Sequence, residues 1–75
     1  MHGANLAGYD LSGLNLQGVN LEGANLEGCN LSKANMRGAN LWDARLTGSN
    51  VDGTILTDAN LHRADMEDVT GTFIR

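Results

Sequence analysis

An apolar residue recurs at every fifth position along almost the whole chain. The thirteen residues of this central column are Leu6, Leu11, Leu16, Leu21, Leu26, Leu31, Met36, Leu41, Leu46, Val51, Leu56, Leu61 and Met66. Because 41% of all residues are apolar, chance would produce such a run in only about one of 10⁵ sequences. The spacing therefore reflects a structure that needs an apolar side chain at every fifth residue.

A five-residue period fits neither an α-helix nor a continuous β-strand. Five residues advance an α-helix by about 500°, so the apolar side chains would spiral around it without forming a stripe. In a strand, an odd spacing would place successive leucines on opposite faces. The pattern is consistent if the chain turns a corner once per pentapeptide and returns each leucine to a common axis. It predicts an all-β fold, a β-solenoid.

The other positions of the pentapeptide agree with this prediction. Two residues before the central residue stands a small side chain, most often alanine, as at Ala4 and Ala24. The next position is polar, most often asparagine, and we expect it to face outward. Two residues after the central residue stands glycine in most repeats, which indicates a positive φ at the third position of a type II turn.

Five repeats lack this corner glycine. The substituting residues are Lys33, Asp43, Asp58, Arg63 and Asp68. A positive φ is costly for a residue with a side chain. We therefore expect these corners to adopt another turn geometry.

The motif A-N-L-x-G of residues 4–8, and its variant in residues 39–43, resembles the pentapeptide-repeat family over nearly the whole chain. The resemblance implies a right-handed quadrilateral β-helix with four pentapeptides, twenty residues, per coil. The chain would then form about 3.5–4 coils, a rod about 18 Å long at a strand spacing of about 4.8 Å. We expect one domain over residues 1–75, in which residues 69–75 form a degenerate C-terminal cap.

A twenty-residue coil would stack residues twenty apart. We expect an asparagine ladder such as Asn20, Asn40 and Asn60. Arg45 would lie over Asp65 as an ion pair of modest value at the surface.

Composition narrows the function classes. The net charge is −4, and no apolar run exceeds two residues, which excludes a membrane-spanning helix and predicts a cytoplasmic location. An acidic chain lacks the basic surface that nucleic-acid binding requires. The single cysteine, Cys29, falls in the small inward column and should be a buried hydrophobe.

We predict no enzymatic activity, no cofactor and no metal site. His2 and His62 would stand about 14 Å apart on one side of the rod, too far to share an ion. The serines have no histidine within reach, and an interior filled by leucine leaves no room for a substrate.

The two ends are candidate interaction surfaces. The repeat starts at once, with Met1 in the central column, and no capping helix precedes it. Tyr9, Leu14 and Val19 are unusually large for the small column. They could fold over the open end or present an apolar surface to a partner. At the other end, Phe73 and Ile74 are expected to form a lid.

One side of the rod offers a third candidate. Trp42, the only tryptophan, should lie outward beside His62 and Arg63. It could contact a partner or simply cover a flat side of the solenoid.

These features favour a structural or protein–protein interaction module that stacks end to end with itself or with another pentapeptide-repeat chain, without nucleic-acid or membrane partners. The resemblance also implies an alternative, because some members of the family are similar to DNA in width and charge and inhibit DNA gyrase. DNA of 18 Å length carries about ten charges, whereas this chain has a net charge of −4.

Overall fold

Parallel β-bridges join residues twenty positions apart in every coil up to Thr70. The computed structural model describes residues 2–75, and within them the bridges run from Asn5↔Asn25 to Asn50↔Thr70. Each bridge involves a single residue of each segment, so no strand within residues 2–75 is longer than one residue. The same residues contain no helix. The chain is the β-solenoid that the five-residue period predicts. Met1, expected in the central column, lies outside the described residues.

Four stacks of bridged residues define four sides of the solenoid. Side 1 carries Asn5, Asn25, Arg45 and Asp65; side 2 carries Asp10, Asn30, Asn50 and Thr70; side 3 carries Asn15, Asn35, Ile55 and Ile74; side 4 carries Asn20, Asn40 and Asn60. We call residues 2–20, 21–40, 41–60 and 61–75 coils 1 to 4. Coil 4 therefore supplies a bridged residue to sides 1, 2 and 3, and Asn60 of coil 3 is the last described residue on side 4.

The corners are four-residue turns of one kind. In each, the backbone N–H three residues after a central residue donates to that residue's carbonyl, from Tyr9 to Leu6 through Val69 to Met66. The glycines at the third turn position have φ between 66° and 78°, as predicted for a type II turn.

The prediction for the corners without glycine was wrong. Lys33, Asp43, Asp58, Arg63 and Asp68 have φ of 59° to 62° and keep the glycine geometry. The β-bridges before and after each corner fix the backbone positions there, so the corner keeps a positive φ whichever residue occupies it. The strain, about 1 kcal/mol for each such residue, is held by the hydrogen bonds around it. Aspartate, which tolerates this region best, fills three of these positions.

The outward asparagines bind their own turns instead of forming a ladder. The Oδ1 atom of Asn20 accepts the backbone N–H of Glu22 at 3.0 Å, and Asn60 accepts that of His62 at the same distance. Asn40 makes the equivalent bond at 3.1 Å. The expected ladder is not formed within residues 2–75, because each side-chain carbonyl satisfies a turn N–H that the bridges leave free.

The core lies in coils 2 and 3. Its fully buried central residues run from Leu21 to Val51, and the small column contributes Ala24, Cys29, Ala34, Ala39, Ala44, Ser49 and Thr54. Central residues of coils 1 and 4 are only half-buried. The Cα extents are 23 × 22 × 19 Å, so the molecule is a block in which the two end faces are a large part of the surface.

Coil 4 is one residue shorter than the others on its way to side 3. Ile55 pairs with Ile74, nineteen positions on (74 − 55), instead of with the residue twenty positions on. Gly71, with φ +86°, passes so close to the coil below that a Cβ atom there would lie 2.6 Å from the backbone N and Cα of Asp52 and 2.5 Å from its Cβ. The N–H of Thr72 donates to Asp52 Oδ1 at 3.2 Å. This shortened corner moves Phe73 into the inward column.

Candidate interaction surfaces

The N-terminal end face is apolar and incompletely covered. We define it by the half-buried Leu6, Leu11, Leu16 and Val19 and the exposed Tyr9 and Leu14. Tyr9 is 56% exposed and Leu14 46% exposed, whereas Cys29 and Ala34, which occupy the same column in coil 2, are buried. Both large side chains therefore add apolar area at the end of the molecule.

The C-terminal end face contains a depression of about 460 Å³, lined by Leu56, Asp58, Leu61, Met66, Val69, Phe73 and Arg75. Leu56 and Asp58 belong to the coil 3 corner between sides 3 and 4, where Arg75, which follows the bridged Ile74, is the last described residue of coil 4. Leu61, Met66, Val69 and Phe73 are the half-buried inward residues of coil 4. The depression is the open end of the core beside the side that coil 4 does not cover.

Phe73 and Ile74, expected to form a lid together, lie in different environments. Phe73 packs against the core, with the guanidinium carbon of Arg75 5.3 Å from the centre of its ring. Ile74 occupies the outward, bridged position of side 3 and is 50% exposed. The shortened corner at Gly71 is the reason, because it shifts both residues by one position relative to a regular coil.

The sequence prediction missed Leu61 and Met66 as surface residues, since both belong to the central column. Their place in the last described coil leaves them half-buried. It also missed the shortened corner. The available signal was Gly71 itself, which stands where the five-residue period requires an apolar central residue.

On the side of Trp42, the structure brings two of the three predicted residues, Trp42 and Arg63, into contact. The guanidinium of Arg63 lies over the indole ring, 5.3 Å from its centre, and the Arg63 Nε is 3.7 Å from Oδ1 of Asp43. Trp42 is half-buried, while His62 is exposed. One face of the indole is thus occupied by a cation from the same chain.

The expected pairing of Arg45 with Asp65 was wrong. Arg45 Nη2 donates to Glu27 Oε2 at 3.2 Å. The carboxylate of Asp65 instead accepts the backbone N–H of Glu67 at 3.0 Å, which holds it against its own turn. Because both side chains of the Arg45–Glu27 pair are well exposed, the pair adds little to stability.

Three polar side chains enter the inward column. The thiol of Cys29 donates to the carbonyl of Leu6 at 2.9 Å, and the hydroxyl of Thr54 donates to that of Leu31 at 2.6 Å. Ser49 Oγ is buried without a hydrogen-bond partner. Cys29 is buried, as predicted, and burial raises the pKa of its thiol. The thiol is therefore a packed neutral group.

Within residues 2–75, no three or more His, Cys, Asp or Glu side chains are grouped to hold a metal ion. None of these residues forms a helix that could cross a bilayer.

Comparison with known proteins agrees with this geometry. The family of pentapeptide repeats matches residues 1–38 and 34–70, and the chain belongs to this family. Its members are right-handed quadrilateral β-helices and generally lack catalytic activity. No curated protein matches the chain.

Several solved structures share the fold. A pentapeptide repeat protein from the thylakoid lumen of Arabidopsis thaliana is 27% identical, with a TM-score of 0.64 over 95% of this chain and 56% of its own. One from the cyanobacterium Cyanothece is 32% identical, with a TM-score of 0.63 and the same coverage of both chains. HetL of Nostoc, involved in heterocyst differentiation regulation, is 30% identical, with a TM-score of 0.52 over 92% of this chain and 35% of its own. The chain thus spans about half the length of the first two proteins. It spans about a third of the length of the third.

Proposed function

We propose that the chain is a non-catalytic protein–protein interaction module that associates through its coil ends, with itself or with another pentapeptide-repeat chain. Its 75 residues, at twenty residues per coil, make a short β-helical rod of about 3.5–4 coils. The observation that carries the proposal is the exposure of Tyr9 and Leu14, 56% and 46%, in a column that the inner coils fill with small buried residues.

The size of an end face sets the expected affinity. Cα extents of 23 and 22 Å give a face of roughly 500 Å², so stacking would bury roughly 1,000 Å² in total, below the standard interface of about 1,600 Å². Such an interface supports a weak, concentration-dependent association. We expect dissociation constants of roughly 1–100 μM, since interfaces of this size depend on a few anchoring side chains.

Sedimentation equilibrium over a wide concentration range tests the proposal. We expect the apparent mass to rise above 7.9 kDa with concentration, and Leu14→Asp to abolish the rise by placing a charge on the N-terminal end face. Gln17→Asp is the matched control, because Gln17 lies in the same coil at an exposed outward position. A wild-type chain that stays monomeric at millimolar concentration would refute the proposal.

The charges of the molecule favour this function over mimicry of DNA. Two of the nine acidic residues, Glu27 and Asp43, have arginine partners at 3.2 and 3.7 Å. The remaining carboxylates do not approach the charge density of a duplex. We expect micromolar protein to leave the supercoiling activity of DNA gyrase unchanged.

The proposed site of action is the cytoplasm, from the absence of long apolar segments in the sequence. A similar protein comes from a thylakoid lumen, so fractionation of cells that express the full-length protein is the appropriate test.

A further inference from the structure

We propose that the occupant of the C-terminal end face is the N-terminal coil of a second copy, docked head to tail and rotated by a quarter turn about the solenoid axis. In this arrangement Asn5 of one copy lies over Asn60 of the other, on side 4. The inference rests on the proposed function and specifies its geometry.

The polarity of the bridges makes the two ends complementary. On side 4, the N–H of Asn60 donates to the carbonyl of Ala39, and the N–H of Leu41 donates to the carbonyl of Asn60. Within residues 2–75 nothing accepts the backbone N–H of Leu61, and the N–H of Asn5 has no acceptor either. A head-to-tail copy continues the scheme: Leu61 N–H would donate to the carbonyl of Asn5, and Asn5 N–H to the carbonyl of Ala59.

The quarter turn follows from the uneven height of the C-terminal end. Coil 4 covers sides 1, 2 and 3 but not side 4 in the described chain. If Asn5 stacked on Asp65 of side 1, side 4 would stay open by the height of one coil, about 4.8 Å. With Asn5 on Asn60, the next bridged residues fall on sides 1, 2 and 3 in turn, and the rise of the solenoid continues without a gap.

The same register matches apolar residues across the joint. Leu6 would lie over Leu61 and Leu11 over Met66, so both central columns continue. Leu14 would lie over Val69, and Val19 over Phe73. Gly3 and Ala4 of the second copy would lie over Asp58 and Ala59, at the edge of the depression. In the small column, Leu14 and Val19 thereby meet large residues of coil 4, whereas Tyr9 would lie over Ala64.

The choice of unlike ends rests on the polarity of the bridges and on the register, and the charges of the two end coils agree with it only in part. Coil 1 carries one carboxylate, Asp10, whereas coil 4 carries three carboxylates, Asp65, Glu67 and Asp68, and two arginines, Arg63 and Arg75. With neutral histidines both coils have a net charge of −1 (−3 + 2 for coil 4), so net charge does not distinguish the two ends. The head-to-tail joint brings one pair close, Asp10 and Asp65, both of them solvent-exposed. A heterologous contact of this kind does not close, so it generates open chains of copies instead of a dimer.

Mixing two blocked variants tests the head-to-tail geometry. Leu14→Asp blocks the N-terminal face, and Met66→Asp blocks the C-terminal face; circular dichroism checks that both fold. Each variant alone should remain at 7.9 kDa, and an equimolar mixture should form a species of twice this mass and no larger. Dimers of either variant alone would overturn the head-to-tail inference while leaving end association intact. A wild-type chain without association would overturn both.

Cysteine cross-linking tests the quarter turn with milder substitutions. In a Cys29→Ala background, the pair Asn5→Cys and Asn60→Cys would place the two Cα atoms about 4.8 Å apart between copies, within disulfide range. We expect oxidation to give a ladder of linked multimers. The matched pair Asn5→Cys with Asp65→Cys should give at least tenfold less. The reverse preference would overturn the quarter turn, and no cross-linking by either pair would overturn the stacking geometry altogether.

Discussion

Both ends of the solenoid contain large apolar residues in the same inward column, but these residues are exposed at one end and packed against the core at the other. Coil 1 keeps the regular five-residue spacing, and Tyr9 and Leu14 remain exposed. Coil 4 loses one residue at the corner near Gly71, and Phe73 packs against the core. The shortened corner therefore covers Phe73 by moving it into the inward column, whereas the regular corners of coil 1 leave Tyr9 and Leu14 exposed.

The largest expected effect tests the shortened corner. Gly71→Ala places a Cβ atom 2.6 Å from the backbone N and Cα of Asp52, and these backbone atoms cannot move aside without shifting the coil. We expect a loss of about 2–4 kcal/mol in the free energy of unfolding, measured by urea denaturation. Gly8→Ala is the control at the other end, because its Cβ would meet open space at φ +78° and should cost about 1 kcal/mol. Equal losses would show that the contact with Asp52 does not constrain coil 4.

The second prediction compares the covered and the exposed aromatic residue. Phe73→Ala removes a half-buried ring that packs against the core and should cost about 2 kcal/mol, part of the penalty for a fully buried phenylalanine. Tyr9→Ala removes a ring that is 56% exposed and should cost about 0.5 kcal/mol. Denaturation at concentrations where the chain is monomeric separates folding from association. The opposite order would mean that Tyr9, not Phe73, closes its end.

The third prediction uses Cys29 as a reporter of the N-terminal end. Its buried thiol, whose pKa is raised by desolvation, donates to the carbonyl of Leu6 and should react only when coil 1 opens. Leu16→Ala, which weakens coil 1, should speed labelling by a thiol reagent about tenfold, the equivalent of about 1.4 kcal/mol. Met66→Ala weakens coil 4 and should leave the rate within about twofold. Similar acceleration by both variants would indicate that the coils open together.

The smallest effect concerns acid. The hydroxyl of Ser12 donates to Oδ1 of Asp10 at 2.7 Å, and the backbone N–H of Ser12 donates to the same atom at 3.0 Å. Both bonds lower the pKa of this carboxyl from its ordinary value of 3.8. A carboxyl whose pKa is lower in the folded than in the unfolded state stabilises the fold at pH values above its unfolded-state pKa. This stabilisation is lost as the pH falls through the folded-state pKa. Asp10→Asn and Ser12→Ala should each flatten the stability curve slightly between pH 5 and about 3. An unchanged curve would show that these bonds do not persist in solution.

Much of the fold follows from the sequence because each corner must return an apolar side chain to the axis. This requirement is strong enough to impose a positive φ on Lys33 and Arg63, and the intrinsic preference of those residues was therefore a poor guide. The buried state of Cys29 was predictable for the same reason, since it shares a column with alanines.

Two details could not be predicted from the sequence: the ion-pair partner of Arg45 and the position at which coil 4 loses one residue. Arg45 has carboxylates both above and below it, and Asp65 is already held by a backbone N–H, so the side chain pairs with Glu27. The change of register in coil 4 depends on a single close approach, that of Gly71 to Asp52. A five-residue period carries no information on where one residue is dropped.

The stacking of bridged residues twenty apart also has a consequence for how such genes can change. An in-frame duplication of twenty codons between Leu21 and Asn60 would insert one more coil while both ends kept their orientation. A duplication of five codons would lengthen the protein by one side and turn one end by a quarter relative to the other. Slippage between repeats during replication therefore alters length and the angle between the two termini in fixed steps, and leaves the composition of each terminus unchanged.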